Sequence, residues 1–221
     1  MNINNNVLKE YLKNCYFITG TAYAGKSTAC AMLAEKYGLI HCRENYGTEG
    51  KDHLITQEDQ PNLNYFNTMP SWQHFVSRSP EDYEKWMSGT SREVADFEVA
   101  ELIRVTADRK AIVDTNIPLD ILKEISDYDH IAIMLSPQAM SVEEFFNRGD
   151  EEKQFLLSVI NSCPDPKATL ENFKAGIARI NSPEHYNEFL NSGLFTLIRE
   201  DTEKDTREEV CRKLAEHFKF E

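Results

Sequence analysis

Five short apolar runs recur along the chain: "CYFIT" (15–19), "LIHC" (39–42), "AIVD" (111–114), "IAIML" (131–135) and "LFTLI" (194–198). None alternates apolar with polar, so each reads as a strand buried on both faces, as in a parallel sheet. Segments of helical spacing separate them. "KSTACAMLAEKYG" puts Ala29, Met32, Leu33 and Tyr37 on one face, with Gly38 as its stop. "SPEDYEKWM" opens with Ser79 as a cap and Pro80 in the first turn. "TSREVADFEVAELIRVTADR" follows as the longest helix, with Thr90 and Glu93 as a capping box and Phe97, Ala100, Leu102 and Ile103 at helical spacing. "PLDILKEISDY" starts a helix at Pro118. "SVEEFF", "DEEKQFLLSVI", "TLENFKAGIARI" and "SPEHYNEFL" make a helix-rich stretch, and "TREEVCRKLAEHF" closes the chain with Thr206 and Glu209 as a second capping box. Residues 44–70 show no period and read as loops or an irregular lobe.

Strands alternating with helices predict an α/β fold of three layers, α/β/α, around a five-stranded parallel sheet. The 221 residues suit a single domain, 1–221. The stretches 44–110 and 136–192 are too long for simple crossovers. They are expected to form helical lobes over a site, the first binding an acceptor and the second acting as a lid.

Charge narrows the partners. The formal net charge is −13, which repels nucleic acid and anionic lipid, so neither is expected as a partner. An anionic small molecule would need a local basic pocket. The five cysteines include no C-x-x-C pair, and read as reduced thiols serving as small core residues in a cytoplasmic protein. The first residues lack the basic-then-apolar pattern of a signal peptide. No apolar run approaches the roughly 18–20 residues of a membrane helix. A cytoplasmic monomer or homodimer is the expectation.

The strongest chemical signal is "GTAYAGKS" (20–27), a full match to G-x-x-x-x-G-K-[ST] between an apolar strand and a helix. Gly20 and Gly25 permit the tight turn that aims backbone N–H groups at phosphate oxygens. The following helix adds the positive end of its dipole. Gly20, Thr21, Ala22, Tyr23, Ala24, Gly25, Lys26, Ser27 and Thr28 are thus the expected nucleotide-binding residues. Lys26 is expected at the β- and γ-phosphates, and the Ser27 hydroxyl on Mg²⁺. Asp114, ending the third strand, is the expected organiser of that ion and its waters, or else a structural residue that caps or turns the strand end. These features place the fold among P-loop NTPases, with ATP and Mg²⁺ as cofactors.

Other candidates are softer. Arg148, after the fourth strand, could stabilise transferring phosphoryl charge, or be a surface arginine beside Asp150, Glu151 and Glu152; Arg179 is a second candidate. Arg43, Arg92 and Arg104 could hold an anionic acceptor through the planar guanidinium fork. Glu44 or Asp52 could act as general base. Tyr65, Phe66, Trp72 and Trp86 could stack on a ligand but are better explained as the core of the acceptor lobe. The six histidines show no metal-ligand spacing.

With these residues in place, the chain resembles the nucleoside and nucleotide kinase family of P-loop proteins, the adenylate-kinase-like group that includes shikimate and cytidylate kinases. "GTAYAGKST" looks like that family's loop, and "IVDTNIP" is similar to its strand-three signature, with Asp114 and Pro118 in place and Thr115 and Leu119 where the family has Gly and Arg. Arg148 falls in the segment that corresponds to the family's lid. The zinc-binding lids of some relatives use four ligands of cysteine type; this segment has only Cys163, so no zinc is implied. The resemblance implies in-line transfer of the ATP γ-phosphoryl group to a small acceptor such as a nucleoside, nucleotide or shikimate-like metabolite. A guanine-specific switch is disfavoured, since neither D-x-x-G after a strand nor N-K-x-D occurs. A nucleotide-binding regulator or assembly ATPase without a small acceptor is the alternative.

Overall fold

The computed structural model describes residues 3–137, 140, 142, 145–146, 151–199 and 205–220. Its elements in chain order are α1 (Asn5–Tyr11), β1 (Cys15–Gly20), α2 (Lys26–Tyr37), β2 (Ile40–Cys42), α3 (Tyr65–Thr68), α4 (Trp72–Val76), α5 (Pro80–Val105), β3 (Ala111–Asp114), α6 (Leu119–Ile125), β4 (Ile131–Leu135), α7 (Glu151–Asn161), α8 (Pro166–Ile180), α9 (Pro183–Leu190), β5 (Phe195–Ile198) and α10 (Arg207–His217). The five strands form one parallel sheet in the order β2-β3-β1-β4-β5. β1 is central, and connections leave its neighbourhood to both sides. That is where an α/β sheet opens a crevice beyond its strand ends.

Strand periodicity sorts the core into two layers. Tyr16 and Ile18 of β1 face α2 and α10, packing with Leu33, Ile112 and Leu214. Cys15 and Phe17 point the other way, toward Leu12, Leu102, Leu122 and Val113. β3 and β4 are buried throughout, whereas the edge strands β2 and β5 are only partly covered. All five cysteines are buried, and burial pushes the thiols of Cys15 and Cys42 up to about 11 and about 12. No helix among the described residues is long and apolar enough to cross a membrane.

The expected strands are all present, and the helices differ in three respects. The two helices expected over 79–109 are one, the 26-residue α5. Ser79 caps it as expected, accepting from the Asp82 N–H at 3.1 Å, with Pro80 in the first turn. Thr90 therefore sits mid-helix and caps nothing, and Glu93 instead accepts from the Asn62 and Leu63 N–H groups at 3.1 and 2.8 Å. Thr206 precedes α10 without a side-chain capping bond, since its φ of −105° and ψ of 5° differ from the extended backbone of a typical cap. α1, α3 and α4 lie in segments where no helix was expected. Part of the "SVEEFF" segment, and Arg148, lie outside the described residues.

The helices of the two long stretches share a third core. Phe75, Val76, Tyr83 and Trp86 from the first pack with Val159, Ile160, Phe173 and Ile177 from the second. α5 passes from this helical body down to the sheet, where Ala95 and Leu102 join the core beside β1 and β3.

Candidate functional site

The loop Gly20–Gly25 leaves β1 at its carboxyl end and is held by backbone geometry. Gly20 has φ +130°, and a Cβ there would lie 2.0 Å from the Met134 carbonyl oxygen. That close approach lets the Thr21 N–H reach the same carbonyl at 3.0 Å. A relay then ties the loop to the end of β4. The Ser136 N–H donates to Thr21 Oγ1 at 2.7 Å, Thr21 Oγ1 lies 3.1 Å from Ser136 Oγ, and Ser136 Oγ donates to the Ala22 carbonyl at 2.7 Å. Tyr23 adopts the left-handed region at φ 65°, rare for a residue with a side chain. Its carbonyl accepts from Arg199 Nη1 at 2.6 Å, which braces that strained turn from β5.

α2 begins at Gly25 with no side-chain cap and no acidic residue in its first turn. The first N–H groups of a helix have no intrahelical acceptor, and here nothing negative competes for them. Lys26 Nζ donates to the Thr21 carbonyl at 3.2 Å, which folds the ammonium back over the loop. The arrangement is a positive cradle of a kind that could receive phosphate oxygens.

Across the cradle stands Asp114, only 2% exposed at the end of β3. Its Oδ2 accepts from Ser27 Oγ at 2.6 Å, and its Oδ1 is buried with no partner among the described residues. Burial pushes its carboxyl up, against the opposing pull of Lys26 and the Ser27 hydrogen bond. A carboxylate and a hydroxyl, both oxygen donors, with one carboxylate oxygen unspent, fit a hard cation of the Mg²⁺ type. No group of three or more His, Cys, Asp or Glu side chains gathers as a metal site among the described residues. An ion held here would complete its shell with ligand oxygens and water.

Two further carboxylates border Asp114. The exposed Glu44 accepts from Asn116 Nδ2. Glu98, on α5, is 1% exposed and accepts from Thr115 Oγ1 at 2.7 Å, and Thr115 Oγ1 in turn accepts from the Ile117 N–H at 2.9 Å. Burial drives the Glu98 carboxyl up to about 7, with the charges of Glu44 and Asp114 adding to the rise. Sequence reasoning missed Glu98. Its signal was its spacing, four residues after Val94 and four before Leu102 on the buried face of α5. Arg199 and Ser136 were missed as well, because what they do depends on strands far apart in the chain.

The expected arginines are placed as follows. Arg92 is ion-paired with Asp120 at 2.6 Å, Arg104 with Glu101, and Arg179 with Glu84 at 2.5 Å. Arg43 is exposed just beyond β2, and its charge helps hold His41 below its ordinary range, after burial. Asp52 lies exposed in a short 3₁₀ turn, away from any hydrogen bond to the loop. Beside the cradle, a cavity of about 360 Å³ is bordered by Gly25, Thr28, Met32, Leu197, Arg199 and Arg207.

The strand order and the loop define an α/β fold of five parallel strands with a glycine-rich loop at the end of the central strand. No family model and no curated protein matches the chain. Among solved structures, it is similar to a dephospho-CoA kinase from Campylobacter jejuni, at 15% identity over 93% of this chain and 97% of that one, with a TM-score of 0.43.

Proposed function

We propose that the chain is an ATP-dependent kinase of a small molecule. The observation that carries this reading is the buried Asp114 carboxylate, 2.6 Å from the Ser27 hydroxyl at the mouth of a phosphate-shaped loop. A loop that only gripped phosphate would have no need of a desolvated carboxylate beside it. Ser27 and Asp114 would hold Mg²⁺, which neutralises charge on the phosphates. The N–H groups of residues 22–28 orient the triphosphate, and Lys26 meets the charge that builds on the transferring group. The cavity between α2 and the start of α10, part apolar and part polar, takes the nucleotide base. The acceptor oxygen forms its bond to the γ-phosphorus as the bond to the β,γ-bridging oxygen breaks. Glu44, exposed beside Asp114, receives the acceptor's proton. The helices of 44–110 and 136–192, joined in one shared core, would bind the acceptor and exclude water around these groups.

Lys26→Ala is expected to lower kcat/KM by on the order of a hundredfold or more, with the fold intact by circular dichroism. The decisive assay is ADP release across a panel of nucleosides, nucleotides, sugars and shikimate-like acids. At least one acceptor should raise turnover above the basal rate. A panel that leaves the basal rate unchanged throughout would replace the kinase reading with that of an assembly or regulatory ATPase.

A further inference from the structure

The helical body holds a second cavity, of about 460 Å³, bordered by Asn62, His74, Ser77, Arg78, Lys85 and Trp86. Arg78 is its unusual member. Its Cζ lies 3.7 Å from the centroid of the Tyr65 ring, with the Trp86 and Phe75 rings at 5.4 and 5.9 Å. A guanidinium over an aromatic face is held by cation–π attraction and can still donate through N–H groups directed away from the ring. Nη1 is shielded from solvent and has no acceptor among the described residues. Arg92, Arg104, Arg179, Arg207 and Arg212 each pair with a carboxylate, as an acidic chain makes easy. Arg78 pairs with none among the described residues. The carboxylate on the rim, Asp82, accepts instead from Ser79 Oγ at 2.7 Å.

Leaving a buried charged donor unmet costs about 1–3 kcal/mol or more. The walls around it are nevertheless fixed. Trp86 Nε1 donates to the Asn62 carbonyl at 3.0 Å, and Asn62 Nδ2 donates to Glu93 at 2.6 Å. The Tyr65 hydroxyl lies 2.9 Å from His74 Nδ1. Asn172 Nδ2, on α8, donates to the Arg78 carbonyl at 2.6 Å, so the backbone of Arg78 is held from across the body. A planar fork on an aromatic floor, with the hydroxyl of Ser77 at the rim, is complementary to a tetrahedral oxyanion; Lys85, also on the rim, pairs its ammonium with Glu81 at 2.8 Å.

We propose that this cavity is a binding site for a phosphate group, anchored by Arg78. It is separate from the nucleotide cradle: Trp86 and Glu98 stand twelve residues apart on α5, about 18 Å at the rise of an α-helix. The proposal does not depend on the kinase reading. The phosphate is either free or carried as an ester on a larger molecule, whose body would rest against Trp86.

The test uses the full chain labelled with ¹⁵N and follows the Trp86 indole N–H. That reporter belongs to this cavity and not to the cradle. Inorganic phosphate and phenyl phosphate are the two probes. Each is expected to shift the Trp86 signal saturably, and Lys26→Ala is expected to preserve the shift. Arg78→Lys keeps the charge but loses the fork, and is expected to weaken binding about tenfold; Arg78→Ala should weaken it further, toward a hundredfold. Tighter binding of phenyl phosphate than of inorganic phosphate assigns the site to a phosphoester, and equal binding assigns it to free phosphate. A Trp86 signal unmoved at millimolar concentrations of both probes overturns the proposal. So does a shift that survives unchanged in folded Arg78→Lys.

Discussion

The sheet of this molecule is packed mainly from aliphatic side chains, Ile112, Val113 and Ile131 among them, with Tyr16, Phe218 and Phe220 as a ring cluster on one face, whereas the helical body sets Phe75, Tyr83, Trp86 and Phe173 at the centre of its aliphatic residues. The two regions also build their sites differently. At the sheet, the cradle consists of backbone N–H groups on a loop whose shape is set by φ angles and close approach. In the helical body, the cavity consists of side chains, His74, Lys85 and Trp86 on helices and Asn62, Ser77 and Arg78 on the turns beside them. A backbone-built site tolerates many side chains and few changes of chain path, while a side-chain-built site behaves in the opposite way.

Gly20→Ala tests the first half of that contrast with the largest effect. The new methyl would meet the Met134 carbonyl oxygen at 2.0 Å, on a backbone with φ +130° that L residues rarely adopt. The obstacle is the Met134 backbone and not a flexible side chain that could move aside. The variant should lose about 3 kcal/mol or more of stability, read as a fall in the urea midpoint at unchanged slope. Ala22→Ser, one position past the Thr21–Met134 bond, should leave the unfolding free energy within about 0.5 kcal/mol of the wild type. Equal effects of the two substitutions would erase the distinction between path and side chain.

Glu98 stands where the regions meet, since α5 belongs to both. Its carboxyl is held at about 7 against an ordinary 4.5, so the folded chain keeps a proton that the unfolded chain has already released. The sign follows from proton linkage: wherever the native state binds more protons, stability falls as pH rises. The stability linked to Glu98 is full below about 4.5 and is lost progressively up to about 7. Glu98→Gln keeps the acceptor for Thr115 Oγ1 and has no proton to lose. Its stability relative to the wild type should therefore grow by roughly 3 kcal/mol between acid and pH 8. Urea unfolding of both proteins across that range measures the difference. A difference that stays flat with pH would show that Glu98 titrates normally and that the seam is solvated.

The same contrast explains what could be read from sequence. The strands were legible because burial on both faces leaves an unbroken apolar run, and the loop because its glycines and Lys26 are required by local geometry. Asp114 was legible as the polar end of an apolar strand. The helical body was not. Of the four aromatic residues expected as its core, Trp86 is buried and Tyr65 packs against it, while Phe66 and Trp72 stay exposed, because the core is assembled from residues 75–86 and 159–177 through contacts that no local period encodes. Thr90 and Glu93 show the limit sharply. They have the spacing of a capping box, yet packing of α5 on α8 carries the helix straight through them, and Glu93 serves Asn62 instead. Arg78 carried no local mark distinguishing it from Arg92 or Arg104; only the ring beneath it and the missing carboxylate set it apart.

Arg92 gives the smallest effect and the sharpest control on that last point. It pairs with Asp120 at 2.6 Å, and both side chains are more than half exposed, at 52% and 59%. An exposed pair gains little because water screens the charges and two long side chains must be ordered to meet. A double-mutant cycle of Arg92→Ala and Asp120→Ala should give a coupling below about 1 kcal/mol, smaller still in high salt. Arg92→Ala should also leave the phosphate-induced shift of the Trp86 indole unchanged. If Arg92→Ala weakened that shift as strongly as Arg78→Lys, the oxyanion would be responding to the general field of nearby cations. Its recognition would then not require one fork held on an aromatic floor, and the two arginines would differ only in where they lie.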